Sequence, residues 1–260
     1  MESGFQRNRL INVLFLTRID GSLPPMFKPL YTFADKARQG RVGELAAGIW
    51  HRLAPPIPIW KKIYGVNVCL DLRDSLIFWA RSSKDIEKAE GFDIMLKNIN
   101  GTVWDVGCNV GIFSLYASSL GRRVIAFDIS KKACKLLEKS SKSNFLQVKT
   151  IPRAFSVKTF HYSAPDNADA RNRPSDVGLN DETSITYLEA ADQFGIPSFI
   201  KLDIEYAEVD FLKSPEFKCW IQTHRIPLLI ELHEKHFWDL VWPDVPHVRF
   251  TESHVLFNSP

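Results

Sequence analysis

The chain has 260 residues, 45% of them hydrophobic and 24% charged, with a formal net charge of +3. Those proportions exclude a disordered chain, and the near-balance of charge excludes a protein built chiefly to coat nucleic acid. Four widely spaced cysteines (Cys69, Cys108, Cys134 and Cys219) form no C-x-x-C pair, so the expectation is a cytoplasmic protein without a disulfide framework.

Residues 1–60 read as an N-terminal arm, partly helical. Its apolar run from Leu10 to Leu16 is broken by Asn12 and closed by Arg18 and Asp20. That is far short of the ~20 residues a membrane helix needs, and no membrane span is expected. Prolines at 24, 25, 29, 55, 56 and 58 flank one helix, Val42 to Leu53, in which Leu45, Ile49, Trp50 and Leu53 share a face. Residues 61–98 read as a β-hairpin and a helix leading into the core. Ile63, Val66, Val68, Leu70 and Leu72 alternate around a turn at Gly65-Val66-Asn67, and a helix from Asp85 to Leu96 is capped by Ser82 or Ser83.

Residues 99–260 alternate strand and helix. Strands are expected at Val103 to Val106, Arg123 to Phe127, Phe145 to Ile151, Phe199 to Ile204, Pro227 to Leu232 and His254 to Phe257. Helices are expected at Gly111 to Leu120, Ser130 to Ser140 and Ala207 to Leu212. This order gives an α/β fold with a Rossmann-like, doubly wound, mainly parallel sheet. An insert at about 155–195 interrupts it: Phe155 to Tyr162 reads as a hairpin strand and Ser163 to Glu182 as a long loop, either a lid or a solvated excursion.

The most informative stretch is Trp104-Asp105-Val106-Gly107-Cys108-Asn109-Val110-Gly111, where a strand ends in a glycine turn and a helix begins. The next strand ends in Asp128, an acid placed to hold two ribose hydroxyls. In the dinucleotide fingerprint G-x-G-x-x-G the middle glycine lets backbone approach a pyrophosphate, but here that place is Asn109. The ligand expected is one with a ribose and no pyrophosphate. S-adenosylmethionine is such a ligand, with Asp105 near its ammonium group. The expected cofactor-binding set is Asp105, Gly107, Cys108, Asn109, Gly111, Asp128, Ile129, Ala154, Phe155 and Asp203.

A second apolar strand, Ile200-Lys201-Leu202, runs into Asp203, Glu205 and Glu208. Carboxylates at the ligand edge of a sheet suit general-base work or a metal. Glu208 reads instead as a solvated acid at a helix N-terminus. Glu231-Leu232-His233 ends the neighbouring strand, and Asp203, His233 and Glu205 are the candidate catalytic residues, with His233 or Asp203 as the base. No metal is assigned; the alternative is a divalent cation on Asp203, Glu205 and Glu231.

With these pieces in place, the stretch from about residue 64 to 235 resembles the FkbM family of class I S-adenosylmethionine-dependent methyltransferases. The matching motifs are Val103 to Gly111, Ala126-Phe127-Asp128, Ile200 to Glu208 and Leu229 to His233, with Asp71 to Asp74. The resemblance implies a seven-stranded sheet and methyl transfer to a hydroxyl, on a sugar, glycan or natural-product acceptor. Three positions differ from the family pattern. Asp128-Ile129-Ser130 stands in place of Glu-Pro, and Cys108 replaces an alanine and is expected to face the cofactor through its backbone. Tyr206 replaces a glycine, so the backbone after Glu205 is expected to avoid left-handed values.

The remaining signals read as structural. His233 and His236 lack zincin spacing; Phe237, Trp238 and Trp242 read as closing a core; and Arg171-Asn172-Arg173 reads as a solvated loop. Nucleic acid is not an expected partner. Two other functions stand beside the small-molecule O-methyltransferase: an RNA ribose 2′-O-methyltransferase and a non-catalytic binding module on the same fold.

Overall fold

A computed structural model describes residues 52–75, 78, 81–96, 99–165, 167, 182–233, 235–251 and 253–258. The run Leu10 to Leu16, the tract Arg171 to Arg173 and all but the last two residues of the helix expected at Val42 to Leu53 lie outside these. Arg52 and Leu53 are helical. The chain divides into two compact units, residues 1–91 and 92–260. No helix among the described residues is long and apolar enough to cross a membrane.

In the first unit, β1 (Pro58–Ile63) and β2 (Val66–Asp71) form an antiparallel hairpin with Ile63 opposite Val66. The turn is therefore Tyr64-Gly65, earlier than the alternation suggests, and both residues have positive φ (49° and 77°). A two-residue hairpin turn of this hand matches the twist of the strands it joins. Helix α1 (Ser83–Glu90) begins at Ser82, whose hydroxyl accepts the Asp85 N–H, and ends at left-handed Gly91. That glycine divides the single helix expected over Asp85 to Leu96. Its second part, α2 (Phe92–Leu96), belongs to the second unit.

The second unit then runs β3 (Thr102–Val106), α3 (Ile112–Ser119), β4 (Arg123–Phe127), α4 (Lys131–Ser143) and β5 (Val148–Ile151). Phe145, expected in β5, has φ 55° and lies outside the strand, 95% exposed. After the insert come α5 (Tyr187–Phe194), β10 (Phe199–Leu202), α6 (Glu208–Leu212), α7 (Pro215–Thr223) and β11 (Leu228–Glu231). A 3₁₀ helix (Lys235–Leu240), β12 (His247–Arg249) and β13 (His254–Phe257) complete it. The sheet is seven-stranded in the order β12-β13-β11-β10-β3-β4-β5. Strands β11, β10, β3, β4 and β5 are parallel, and β13 runs antiparallel to both neighbours. This is the expected doubly wound, Rossmann-like architecture.

Side chains alternate across each strand. One face carries Trp104, Phe127, Ile200 and Leu202, which join Phe155, Phe194, Phe211 and Phe217 in a buried aromatic core. Trp242 and Phe237 are buried there too, as expected of a core-closing run. The opposite face holds Asp105 and Lys201, side by side in the β3–β10 register, with α3 contributing Phe113 against Phe199.

The insert departs from the expected hairpin. Its ends form two separate ladders: β6 (Phe155–Ser156) runs parallel to β9 (Ile185–Thr186), and β7 (His161–Tyr162) runs antiparallel to β8 (Glu182–Thr183). Each outgoing strand pairs with the returning leg, so the segment closes on itself at its base.

Candidate active site

Loop geometry after β3 follows from close packing. Gly107 (φ 77°) lies so near β10 that a Cβ there would sit 1.6 Å from the Asp203 carbonyl oxygen. Only glycine permits that approach. The Gly107 and Cys108 N–H groups both donate to the Phe127 carbonyl, at 2.9 and 3.0 Å. Asn109, at φ 47°, donates its N–H to Asp128 Oδ2 at 2.7 Å, while the Ser130 N–H donates to Oδ1 at 2.8 Å. Burial pushes the Asp128 carboxyl up to about 6 against the pull of those two donors. The side-chain oxygen of Asn109 is buried and has no hydrogen-bond partner among the described residues. An acceptor left unpaired costs about 1–3 kcal/mol.

Four of the expected cofactor residues make contacts within the protein. Asp105 is fully buried; it accepts a 2.6 Å bond from the Ser114 hydroxyl, and Lys201 Nζ lies 3.8 Å from its other oxygen. Burial raises its pKa, opposed by Lys201. The side chain lies in the layer between β3, β10 and α3, and its Oδ1 has no hydrogen-bond partner among the described residues. Cys108 spends its backbone internally, donating to Phe127 and accepting from the Gly111 N–H at 2.8 Å. Its thiol is buried, with a pKa raised well above normal by burial and by the neighbouring Cys134 thiol. Ala154 donates its N–H to the Tyr162 hydroxyl and accepts from Ile185. The Phe155 ring stacks on Phe211 and meets Phe127 in the core. Ile129 is half-buried beside Asp128, and Gly111 (φ 81°) starts α3 with Leu137 against its Cα.

The ends of β10 and β11 bring together the second constellation. Lys201 Nζ donates to Asp203 Oδ2 at 2.8 Å. Burial alone would lower the Lys201 pKa, but Asp203 and Asp105 more than reverse this and raise it. Burial pulls Asp203 the other way, and Lys201 with His233 brings its pKa below the usual value. His233 Nε2 lies 3.5 Å from Asp203 Oδ1 and 3.7 Å from Glu205, and its Nδ1 lies 2.9 Å from Glu208 Oε1. Although burial opposes it, the Glu208, Asp203 and Glu205 carboxylates push His233 up to about 9. Those carboxylates favour the imidazolium form, which weighs against His233 and for Asp203 as the general base.

Two further corrections concern this edge. Glu208 is wholly buried, not solvated: it also accepts the Ile204 N–H at 2.9 Å. Glu205 and Tyr206 adopt φ of 48° and 79°, so the left-handed backbone expected to be avoided is present without glycine. The Tyr206 ring lies 5.6 Å from the His233 ring, tilted by 31°. Glu231, at the end of β11, pairs in register with His254, whose Nε2 lies 3.6 Å from its carboxylate. Among the described residues, the group able to share a metal is Asp203, Glu231 and His233, with His233 in the place given to Glu205 by sequence.

No protein-family model matches the chain, and no curated protein sequence does. Among solved structures it is similar to the Pyrococcus abyssi tRNA (uracil-54, C5)-methyltransferase in complex with S-adenosyl-L-homocysteine. That match has 13% identity and a TM-score of 0.44 over 77% of this chain and 43% of the other. A T. thermophilus 16S rRNA N2 G1207 methyltransferase in complex with AdoMet and guanosine gives 12% identity and a TM-score of 0.41 over 77% and 49%. The ribosomal protein L11 methylase of Lactobacillus delbrueckii subsp. bulgaricus gives 15% and 0.40 over 68% and 78%. The chain thus spans less than half the length of the first two.

Proposed function

We propose that the chain is an S-adenosylmethionine-dependent methyltransferase whose acceptor atom is a hydroxyl oxygen of a sugar, glycan or natural-product small molecule, as the FkbM-like motifs imply. The observation that carries the cofactor reading is the tie between the glycine loop and the end of β4. Asn109 gives its N–H to Asp128 at the end of β4. The half-buried Asp128 carboxylate keeps spare lone pairs, which suit the hydroxyls of a ribose. No second glycine offers a pyrophosphate cradle.

When bound, S-adenosylmethionine supplies an electrophilic methyl group on a sulfonium. The carboxylates of Asp203, Glu205 and Glu231 at the neighbouring strand ends suit its positive charge. Asp203 would accept a hydrogen bond from the acceptor hydroxyl and take its proton as the C–O bond forms and the methyl–sulfur bond breaks, leaving the neutral thioether S-adenosylhomocysteine. A carboxylate of low pKa suffices, because a hydroxyl oxygen receiving a methyl group becomes strongly acidic. Lys201 holds Asp203 ionised, and His233, fixed by Glu208, places a second positive charge beside it.

Labelled methyl transfer from S-adenosylmethionine to a panel of hydroxylated acceptors tests this reading. Asp203→Asn is expected to lower turnover about 100-fold while leaving cofactor affinity within a few-fold. Unchanged turnover in Asp203→Asn removes the assigned base.

A further inference from the structure

The strand-end cluster has a feature that proton transfer does not use. One carboxylate oxygen from Asp203, one from Glu231 and a ring nitrogen of His233 all lie within 4.8 Å of one another. Two carboxylates and one imidazole are a ligand set for a divalent ion that accepts mixed oxygen and nitrogen donors, such as Mn²⁺. Ligands about 2.1–2.3 Å from a common centre stand about 3–4.5 Å apart, so the three side chains close in by a few tenths of an ångström on an ion.

Each of the three side chains is oriented from behind by a different buried residue. Glu208, wholly buried, meets His233 at Nδ1 and leaves Nε2 on the Asp203 side, 3.5 Å from Oδ1. Lys201, 6% exposed, takes Asp203 Oδ2 and leaves Oδ1 on the His233 side. His254, 8% exposed, stands behind Glu231. The Thr251 hydroxyl oxygen accepts the N–H groups of Ser253 and His254, so its proton goes to His254 Nδ1 at 2.7 Å, and the Nε2–H of that ring faces Glu231. Buried groups standing behind the ligands in this way are what metal sites use to orient them. The cluster is open on one side: Asp203, Glu231 and His233 side chains are 25%, 30% and 15% exposed.

We propose that Asp203, Glu231 and His233 bind one divalent cation at the carboxyl edge of the sheet, with Glu208, Lys201 and His254 as positioning residues. An imidazole ligates a metal only as the neutral ring, so the ion displaces a proton from His233. The remaining coordination positions face the open side, where an acceptor hydroxyl binds the ion and is made more acidic. That use of the ion rests on the methyl-transfer reading; the binding itself does not.

The test is titration of the chelator-treated full chain with Mn²⁺ alone, followed by the loss of the free Mn²⁺ paramagnetic resonance signal. One saturable site per chain is expected. Glu231→Ala and His233→Ala, each checked for folding by circular dichroism, are expected to weaken it at least about tenfold. Asp210→Asn, which removes an exposed acid from α6, is expected to leave it unchanged. Absence of a saturable site, or equal affinity in both alanine variants, overturns the proposal. Calorimetry with S-adenosylmethionine on the same preparations separates the two readings. Cofactor binding without Mn²⁺ binding overturns the cation site alone, and the converse overturns the methyltransferase reading alone.

Discussion

Glu208 Oε1 lies 2.9 Å from Nδ1 of His233 although the Glu208 side chain has no exposure to solvent. The same oxygen accepts the Ile204 N–H, so one buried carboxylate locks the turn after β10 to the residue after β11. Truncating it leaves the Ile204 N–H without its acceptor and the His233 ring without the carboxylate that faces it. Glu208→Ala is expected to cost about 3 kcal/mol in urea unfolding. A solvated acid at a helix N-terminus would cost under about 1 kcal/mol, and that smaller value would return Glu208 to a surface role.

Asp105 joins Ser114 and Lys201 in a fully buried layer. Asp105→Ala leaves the Lys201 charge without one of its two carboxylates, and a loss of about 3 kcal/mol of stability is expected. Folded Asp105→Ala at low temperature is expected to keep most of its cofactor affinity. A stable variant that had lost all cofactor affinity would instead make Asp105 a direct ligand contact.

Tyr206 carries φ 79°, a value that costs an L side chain roughly 1 kcal/mol and glycine almost nothing. Its ring contacts with His233 and Phe237 offset this. Both Tyr206→Ala and Tyr206→Gly lose the ring, but the glycine variant also sheds the strain. Tyr206→Gly is expected to be about 1 kcal/mol more stable than Tyr206→Ala by thermal unfolding. The reverse order would contradict a left-handed backbone there.

Asp128 titrates near 6 in the folded chain because burial opposes its charge, against 3.8 ordinarily. A raised pKa means that the folded state holds the proton more tightly. The group's contribution to stability is full below pH 3.8 and is lost as pH rises through 6. Two units correspond to roughly 3 kcal/mol. Urea unfolding at pH 4 and pH 7.5 is expected to show a smaller difference in Asp128→Asn than in the parent protein. Equal differences would mean that Asp128 is ionised at both values.

The sheet was legible because its strands are short apolar runs between glycines and caps: Arg123–Phe127 and His254–Phe257 occupy the residues expected of them. Helices α5 and α7 escaped, although Thr186 and Glu189 form a capping box and Ser214-Pro215 caps α7. Both lay next to polar or prolyl segments whose helical period is short. At the site, composition brought Asp203, Glu205 and His233 to one edge, but burial decides what each does, and burial is a property of the packed neighbours. Nothing local in Ala207-Glu208-Val209 tells a buried clamp from a solvated cap. Likewise Asp105 alternates with apolar residues along β3, which places it on a face and leaves open whether that face meets ligand or helix. Left-handed Tyr206 was hidden because its residue type carries no signal for a positive φ.

Calorimetric titration of the full chain with S-adenosylmethionine, alongside Asp128→Ala, tests the central claim most directly. One site per chain is expected, weakened at least about tenfold in Asp128→Ala, as loss of a carboxylate holding two ribose hydroxyls requires. No heat of binding at millimolar cofactor, or an affinity indifferent to Asp128, would contradict the assignment of this strand edge to S-adenosylmethionine.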